Sequence, residues 1–462
     1  MSAAQINAQS ASDPTYSKAA LTKKPLALRP PLGWNSYDSY KNSIGEEETL
    51  KNLEIFARKL ATHGYEYFVI DYGWYNEDSM IPGSIRPWFR QEAPDWALDG
   101  NGYPISSRTY FPNGIKRIAD RAHQLGVKFG LHLFRGVIRK AWDFNLPIKG
   151  SSARIKDISD TKAYTDWNDV TYGVEMSKDG AHEYYTGLIQ HLADLGVDMI
   201  KCDDLVPYPA EVEAIGRAVA SCERDMLLSL SPGDDTTPAN KNSYKWGHML
   251  RITNDIWDSH QCLDDCFARW RVWQGSAGPG FWPDMDMLCL GTLTGYIDPV
   301  DDHRRDLTPE QLGTMDLEDV FFRKCHFSTA QERTFLSMRA LSASPLFMGG
   351  CLIRSEQRVL DLITAPDMLK CNQNGISGTL QSETGQLEVW RTPNQGDETQ
   401  GWIGVFNRSE TETSNPTLTL KDFGLPDGRY QFRECWTHQP IEISKQAVIG
   451  ADDVLFLEYK TI

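Results

Sequence analysis

Residues 196–204 read GVDMIKCDD, a short and mostly apolar run from Val197 to Ile200 that turns charged at Lys201 and closes on Asp203 and Asp204. A segment this brief, opened by Gly196, reads as a buried strand that delivers carboxylates at its C-terminal end. The same construction recurs in Leu32–Tyr37, Tyr65–Asp71, Lys128–Leu133, Met226–Ser231, Met249–Asp255, Phe281–Leu288 and Pro345–Gly350. With Asp198–Asp204 these predict eight strands. Between them, Glu46–Thr62, Gly114–Leu125 and Ala181–Leu195 repeat apolar residues at spacings of three and four and predict helices. Strand and helix in alternation imply a parallel sheet. Eight such units over about 330 residues fit a (β/α)8 TIM barrel better than an open doubly wound sheet. No GxGxxG follows the first strand, which also weighs against a dinucleotide-binding fold.

Past about residue 375 the texture changes to short β-rich runs separated by Gly, Pro, Asn and Asp. They are Leu387–Arg391, Gly401–Asn407, Thr417–Leu420, Tyr430–Trp436 and Val454–Tyr459, and they predict a C-terminal antiparallel β-sandwich. The expected organisation is an N-terminal extension over 1–28, prone to disorder, a barrel over 29–372 and the sandwich over 373–462.

A chain of 462 residues with 40% apolar content buries at least one large core. Its net charge of −16 repels a phosphate backbone, so nucleic acid is not an expected partner. No run of 18 apolar residues is present to cross a membrane, and the polar first 30 residues carry no secretory pattern. The chain as it stands reads as cytoplasmic, or as secreted or periplasmic if a signal precedes this numbering. Nine cysteines from Cys202 to Cys435, without a CxxC pair, read as small buried hydrophobes with free thiols. Oligomeric state is not legible.

In such a barrel the active site lies at the C-terminal ends of the strands. Here those ends are acidic: Asp71, Asp203, Asp204, Asp255, Asp284 and Asp286. Residues two apart on a strand share a face, which pairs Lys201 with Asp203 and aligns Arg251, Thr253 and Asp255. Buried charges of both signs cost several kcal/mol unless paired, so this is the composition of a polar pocket. Aromatic residues surround it: Trp34, Tyr37, Tyr72, Trp74, Tyr75, Trp257 and Trp282. Sugar rings offer C–H faces to aromatic planes and hydroxyls to carboxylates, Lys and Arg, and acid plus aromatic is accordingly a carbohydrate-site composition. Two carboxyl groups about 5–5.5 Å apart would flank a glycosidic bond for hydrolysis with retention. Asp203 and Asp255, two βα units apart, are the candidates. The competing reading is a Mg²⁺ site of Asp203, Asp204 and Asp255. No HxH or HExxH supports a zinc centre. His132, at the end of the third strand, is either a pocket residue or a structural one.

The motifs LGWNSY (32–37), VIDYGW (69–74), KFGLHL (128–133), GVDMIKCDD (196–204), RITND (251–255), PDMDML (283–288) and ERTFLSMRALSASPLFMGG (332–350) resemble, in order, those of the melibiase family, glycoside hydrolase family 27. Its members are α-galactosidases and α-N-acetylgalactosaminidases built as a barrel and a C-terminal β-sandwich. The resemblance implies a retaining exo-glycosidase without metal or cofactor, with Asp203 as nucleophile and Asp255 as acid/base. It further implies that Trp34 packs on the sugar, that Asp71, Lys201 and Arg251 reach ring hydroxyls, and that Asp286 and Met287 form the pocket floor. Arg251 is expected to face the sugar rather than Asp255, which needs a proton.

Three departures bear on the substrate. Where the family has a second Asp after position 71, holding the axial 4-hydroxyl and the 6-hydroxyl, this chain has Tyr72. The family's disulfide beside the site falls on Leu205 and Leu230. In the fifth-strand loop that selects the 2-substituent, Ser231 resembles the N-acetyl-tolerant members. The expected substrate is a terminal α-D-galactoside, with α-N-acetylgalactosaminide and β-L-arabinopyranoside as alternatives. A non-catalytic sugar-binding barrel is the remoter reading.

Overall fold

The computed structural model describes residues 21–77, 95–164, 170–295, 322–443 and 445–462. The extension expected over 1–28 lies outside them for its first 20 residues. Its described remainder is anchored against the N-terminal ends of the strands. Lys23 Nζ donates to the carbonyls of Gly247 at 2.8 Å and Gly280 at 2.7 Å, and the Trp282 indole donates to Ala27 O at 2.7 Å.

Eight parallel strands form the central sheet: β1 (Leu32–Asn35), β2 (Tyr67–Ile70), β3 (Lys128–Phe134), β4 (Met199–Asp203), β5 (Leu227–Leu230), β6 (Met249–Arg251), β7 (Trp282–Asp284) and β8 (Leu346–Met348). Their order is β7-β6-β5-β4-β3-β2-β1-β8. A parallel bridge between Leu288, just past β7, and Met348 of β8 completes the ring. The fold is the expected (β/α)8 barrel. Inward-facing Tyr67, Val69, Met199, Leu227, Met249 and Phe347 fill its lower interior. Most strands are shorter than the sequence pattern implied, because the backbone leaves the sheet before the carboxylates are reached. The seventh stops at Asp284, and Asp286 takes a left-handed conformation (φ 77°) before Leu288 rejoins β8.

The outer layer includes α1 (Glu46–Lys59), α2 (Ile115–Gln124), α3 (Ala181–Asp194), α4 (Pro209–Ser221), α5 (His260–Trp273) and α6 (Thr329–Leu341). Each presents an apolar stripe to the sheet, as Leu53 and Phe56 of α1 do. Ser259 caps α5 by accepting from Cys262 N, and Ser328 with Gln331 forms a capping box on α6.

The C-terminal sheet is antiparallel: β9 (Thr379–Thr384), β10 (Leu387–Asn394), β11 (Asp397–Asn407), β12 (Tyr430–Glu434), β13 (Pro440–Ile441) and β14 (Val454–Thr461), in the order β9-β10-β11-β14-β12-β13. One face joins the barrel core, where Trp390 of β10 stacks on Trp270 of α5 with centroids 3.8 Å apart. The other face carries Val389, Ile403, Val405 and Leu457 under Leu418, Phe423 and Ile449. Thr417–Leu420, expected as a strand, is instead loop and turn. Leu418 still enters the core, and a bridge from Ser414 to Ile449 ties the covering layer together.

Among the described residues no helix is long and apolar enough to cross a membrane. All nine cysteines are free, and Leu205 and Leu230 are buried.

Candidate active site

At the C-terminal mouth of the barrel a cavity of about 390 Å³ is lined by Asp71, Tyr72, His132, Lys201, Asp203, Arg251, Asp255, Asp286 and Met287, among others. Strand pairing sets the first contacts. Register places His132 beside Lys201 and Phe134 beside Asp203 across β3 and β4. The alternation of β4 points Lys201 and Asp203 into the pocket while Cys202 packs outward.

Asp203 is unevenly held. Its Oδ2 lies 3.1 Å from His132 Nε2 and 3.6 Å from Lys201 Nζ. Its Oδ1 is buried without a hydrogen-bond partner. Burial alone would raise this carboxyl's pKa, but Lys201, His132 and Arg251 outweigh it and hold it well below the usual carboxylate range. Lys201 is shared. Its ammonium donates to Asp71 Oδ2 at 2.9 Å, and despite burial the carboxylates around it keep it charged. Asp71 also accepts from Asn35 Nδ2 at 2.7 Å and from its neighbour Tyr72 N at 2.8 Å.

Asp255 also lines the mouth, its side chain 57% exposed. The sequence expectation for this residue is corrected: Arg251 does touch it, Nη1 donating to Oδ1 at 2.8 Å. The cause is that β6 ends at Arg251, so Asp255 is reached through a turn that brings the two side chains together instead of alternating along a strand. The same guanidinium nitrogen lies 3.3 Å from Asp286 Oδ2, which also accepts from Ile256 N at 2.9 Å. Asp286 thus braces both neighbours of Asp255. Beneath it, burial and the Asp286 charge push Asp284 up to about 6.

Two further expectations are overturned. Trp34 is a core residue, 0% exposed, stacked on Phe68 with centroids 4.5 Å apart and donating to Gly350 O at 2.9 Å. Asn35 faces inward to Asp71, so its neighbour Trp34 must face the helices. The aromatic walls are Tyr37, Tyr72, Phe134 and Trp257. Ser231 is 1% exposed and lines a small chamber under the pocket with Ser229 and Asp284, and the wall above belongs to Pro232. His132, Asp71, Tyr72, Lys201, Arg251, Asp286 and Met287 do line the cavity.

Sequence reading passed over Asp38 and Lys41, which follow β1 on the turn Tyr37–Tyr40. Asp38 packs against Gly349, where a Cβ would come within 2.0 Å of its Oδ2. The Lys41 ammonium lies 3.8 Å from the Trp257 ring centroid and 4.3 Å from that of Tyr37, behind both walls. Burial pulls it down to about 7, against the opposing pull of Asp38. Only their position just past a strand end marked these residues in the sequence. Among the described residues no three His, Cys, Asp or Glu side chains converge as metal ligands, so Asp203, Asp204 and Asp255 do not form the trio considered above.

Residues 384–459 match the model of the alpha galactosidase C-terminal beta sandwich domain. A GH27 β-L-arabinopyranosidase from Geobacillus stearothermophilus is similar at 30% identity and a TM-score of 0.83, covering 94% of this chain and 98% of that one. A putative α-N-acetylgalactosaminidase from Bacillus halodurans gives 28% and 0.78, covering 96% and 99%. An α-galactosidase from Cyamopsis tetragonoloba is 25% identical over 90% of this chain and 82% of its own. Alpha-galactosidase D from Emericella nidulans is 24% identical over 94% of this chain, which spans 56% of that protein's length.

Proposed function

The chain belongs to glycoside hydrolase family 27, and on that premise we propose that it is a retaining exo-glycosidase acting on a terminal sugar with the galactose ring configuration. One observation carries this reading. A single pocket contains an ionised, internally braced carboxylate, Asp203, and a second carboxyl, Asp255, at the solvent side where an aglycone would leave. Asp203 attacks the anomeric carbon while Asp255 protonates the leaving oxygen. Asp255 then takes the proton of the water that releases the sugar. Lys201 and Asp71 bind ring hydroxyls, and Arg251 and Asp286 steady the acid/base. No step calls for a metal or organic cofactor.

Tyr72 decides between sugars. Its ring packs 5.2 Å from Phe134 and 5.8 Å from His132, making an aromatic wall where the family pattern has a carboxylate for the 4- and 6-hydroxyls. Such a wall disfavours a C6 hydroxymethyl group, so β-L-arabinopyranoside, the galactose ring without C6, is the preferred substrate. An α-D-galactoside is the second reading, favoured by the activity named for the curated relatives. The N-acetyl reading loses its support with Ser231 below the pocket. The free thiols suit a reducing, cytoplasmic compartment.

The test is Asp203→Ala assayed on nitrophenyl β-L-arabinopyranoside, α-D-galactoside and α-N-acetylgalactosaminide. Turnover should vanish, and azide should restore part of it as the glycosyl azide of inverted configuration. A near-normal rate in the variant overturns the nucleophile assignment. A wild-type preference for the galactoside overturns the choice of sugar.

A further inference from the structure

From the contacts of the turn after β1 we infer that Lys41 is a positioning residue: its ammonium clamps Tyr37 and Trp257, two aromatic walls of the pocket, at the spacing that grips the sugar. This rests on reading the pocket as a sugar site. The backbone of Lys41 is unusual for its residue type. It closes the turn Tyr37–Tyr40 with φ 51° and ψ −123°, a left-handed conformation that favours glycine. A lysine held in such a conformation points to a use for its side chain. The turn is firmly seated: Lys41 N donates to Tyr37 O at 2.7 Å, and the Ser39 hydroxyl donates to Gly349 O at 2.8 Å. The next residue, Asn42, packs on the turn after β2. There Gly73 adopts φ 101°, and a Cβ on it would come within 2.6 Å of the Asn42 carbonyl oxygen.

The ammonium is buried without a hydrogen-bond partner. What it meets instead are two rings, with the Trp257 centroid at 3.8 Å and the Tyr37 centroid at 4.3 Å. A cation over an aromatic face is attracted by the ring quadrupole, most strongly where water is excluded. The two rings come from different loops. Tyr37 follows β1, whereas Trp257 follows β6, two residues past Asp255. Lys41 therefore joins the loop that carries the acid/base to the loop after β1. Burial, then the charges of Asp255, Asp71 and Asp203, drive the Tyr37 phenol well above its ordinary pKa, which places this ring close to all three carboxylates. A shift of either ring changes the space left for the sugar.

Protonation governs the clamp. Burial lowers the Lys41 ammonium to about 7, opposed by Asp38 on its own turn, Asp255 after β6, Asp286 after β7 and Asp71 after β2. Below that value the ammonium holds both rings, and above it the neutral amine has lost the attraction. Burial and the Asp286 charge also raise Asp38, so the difference between wild type and a Lys41 variant, rather than the wild-type pH course alone, reads the clamp. Lys41 touches no reacting atom.

The experiment measures kcat and KM of the full chain at pH 6 and pH 8, on whichever of the three nitrophenyl glycosides it turns over best. Lys41→Met should raise KM about five-fold at pH 6, with kcat falling by less than KM rises. Wild-type KM should climb between pH 6 and pH 8 by about the same factor beyond any change in Lys41→Met. Lys41→Arg, whose guanidinium stays charged at both pH values, should keep KM low at both. A second readout needs no turnover. Trp257 fluorescence, taken as the difference from Trp257→Phe, should shift across pH 7 in the wild type and stay fixed in Lys41→Met. An unchanged KM in Lys41→Met at pH 6 overturns the inference, as does an indole emission that follows pH alike in both proteins. Should Lys41→Met not fold, wild type against Lys41→Arg carries the test, and parallel KM courses overturn the inference. Turnover of a glycoside with a silent Lys41→Met overturns this inference alone. Turnover of none of the three overturns the functional reading and this inference with it.

Discussion

Arg251 donates to Asp255 at 2.8 Å in the unliganded pocket, so the residue cast as proton donor begins in an ion pair. To protonate a leaving oxygen, Asp255 has to exchange that partner for the substrate. Arg251 is already 3.3 Å from Asp286, so the guanidinium retains a buried counter-charge when Asp255 lets go.

If Asp255 supplies the proton, its loss should matter in proportion to how badly the aglycone needs one. Asp255→Ala is expected to slow phenyl glycosides by about 10²–10⁴ and dinitrophenyl glycosides by less than about ten-fold. A uniform loss across a series of aryl leaving groups would contradict the role.

Asp203 stays ionised at low pH because Lys201, His132 and Arg251 outweigh the effect of burial. In Lys201→Met the burial remains and the nearest full positive charge is gone, so the folded-state pKa rises. The acid limb of kcat/KM, which reports an essential carboxylate in the free enzyme, should move to higher pH by about one unit or more. An unmoved acid limb would mean that Asp203 does not depend on Lys201.

Trp34 and Tyr37 stand three residues apart with opposite duties. Trp34→Ala opens a core cavity under the Phe68 stack and should cost about 3–5 kcal/mol of stability in urea titrations. Tyr37→Ala should raise KM while costing much less stability. A stable Trp34→Ala enzyme with a raised KM would reverse the assignment.

Lys41 ties stability to pH. Its ammonium is lowered to about 7 by burial, against about 10.4 in an unfolded chain. Between those values the unfolded state binds the proton and the folded state does not, so stability rises with pH across that window. Urea midpoints at pH 7 and pH 9.5 should increase in the wild type and increase less in Lys41→Met. Parallel changes in the two proteins would remove Lys41 from this account.

The barrel was legible because buried parallel strands must be short, apolar and regularly spaced, and the residues closing them were legible because carboxylates and cations there have no packing use. Side-chain direction was harder. Alternation assigns Lys201 and Asp203 correctly while β4 lasts, but β6 ends at Arg251 and the rule was carried four residues too far to Asp255. The same rule, applied from Asn35, turns Trp34 outward, against the expected sugar contact. The second layer of the C-terminal unit escaped because Leu418 is buried from a loop, which has no period to read. Tyr75 and His132 lie 57 residues apart in sequence and meet only through the turn at Gly73.

The ring of strands is joined between Leu288 and Met348 by a bridge rather than a ladder, and Asp286 and Met287 belong to the short crossing that reaches it. Opening fluctuations should therefore begin along that seam, with the Leu288 and Gly349 amides trading hydrogen for deuterium before those of β3 and β4. A sugar bridging Met287 and Lys201 would clasp the two sides together, so occupancy of the pocket should be felt as slower exchange along that seam.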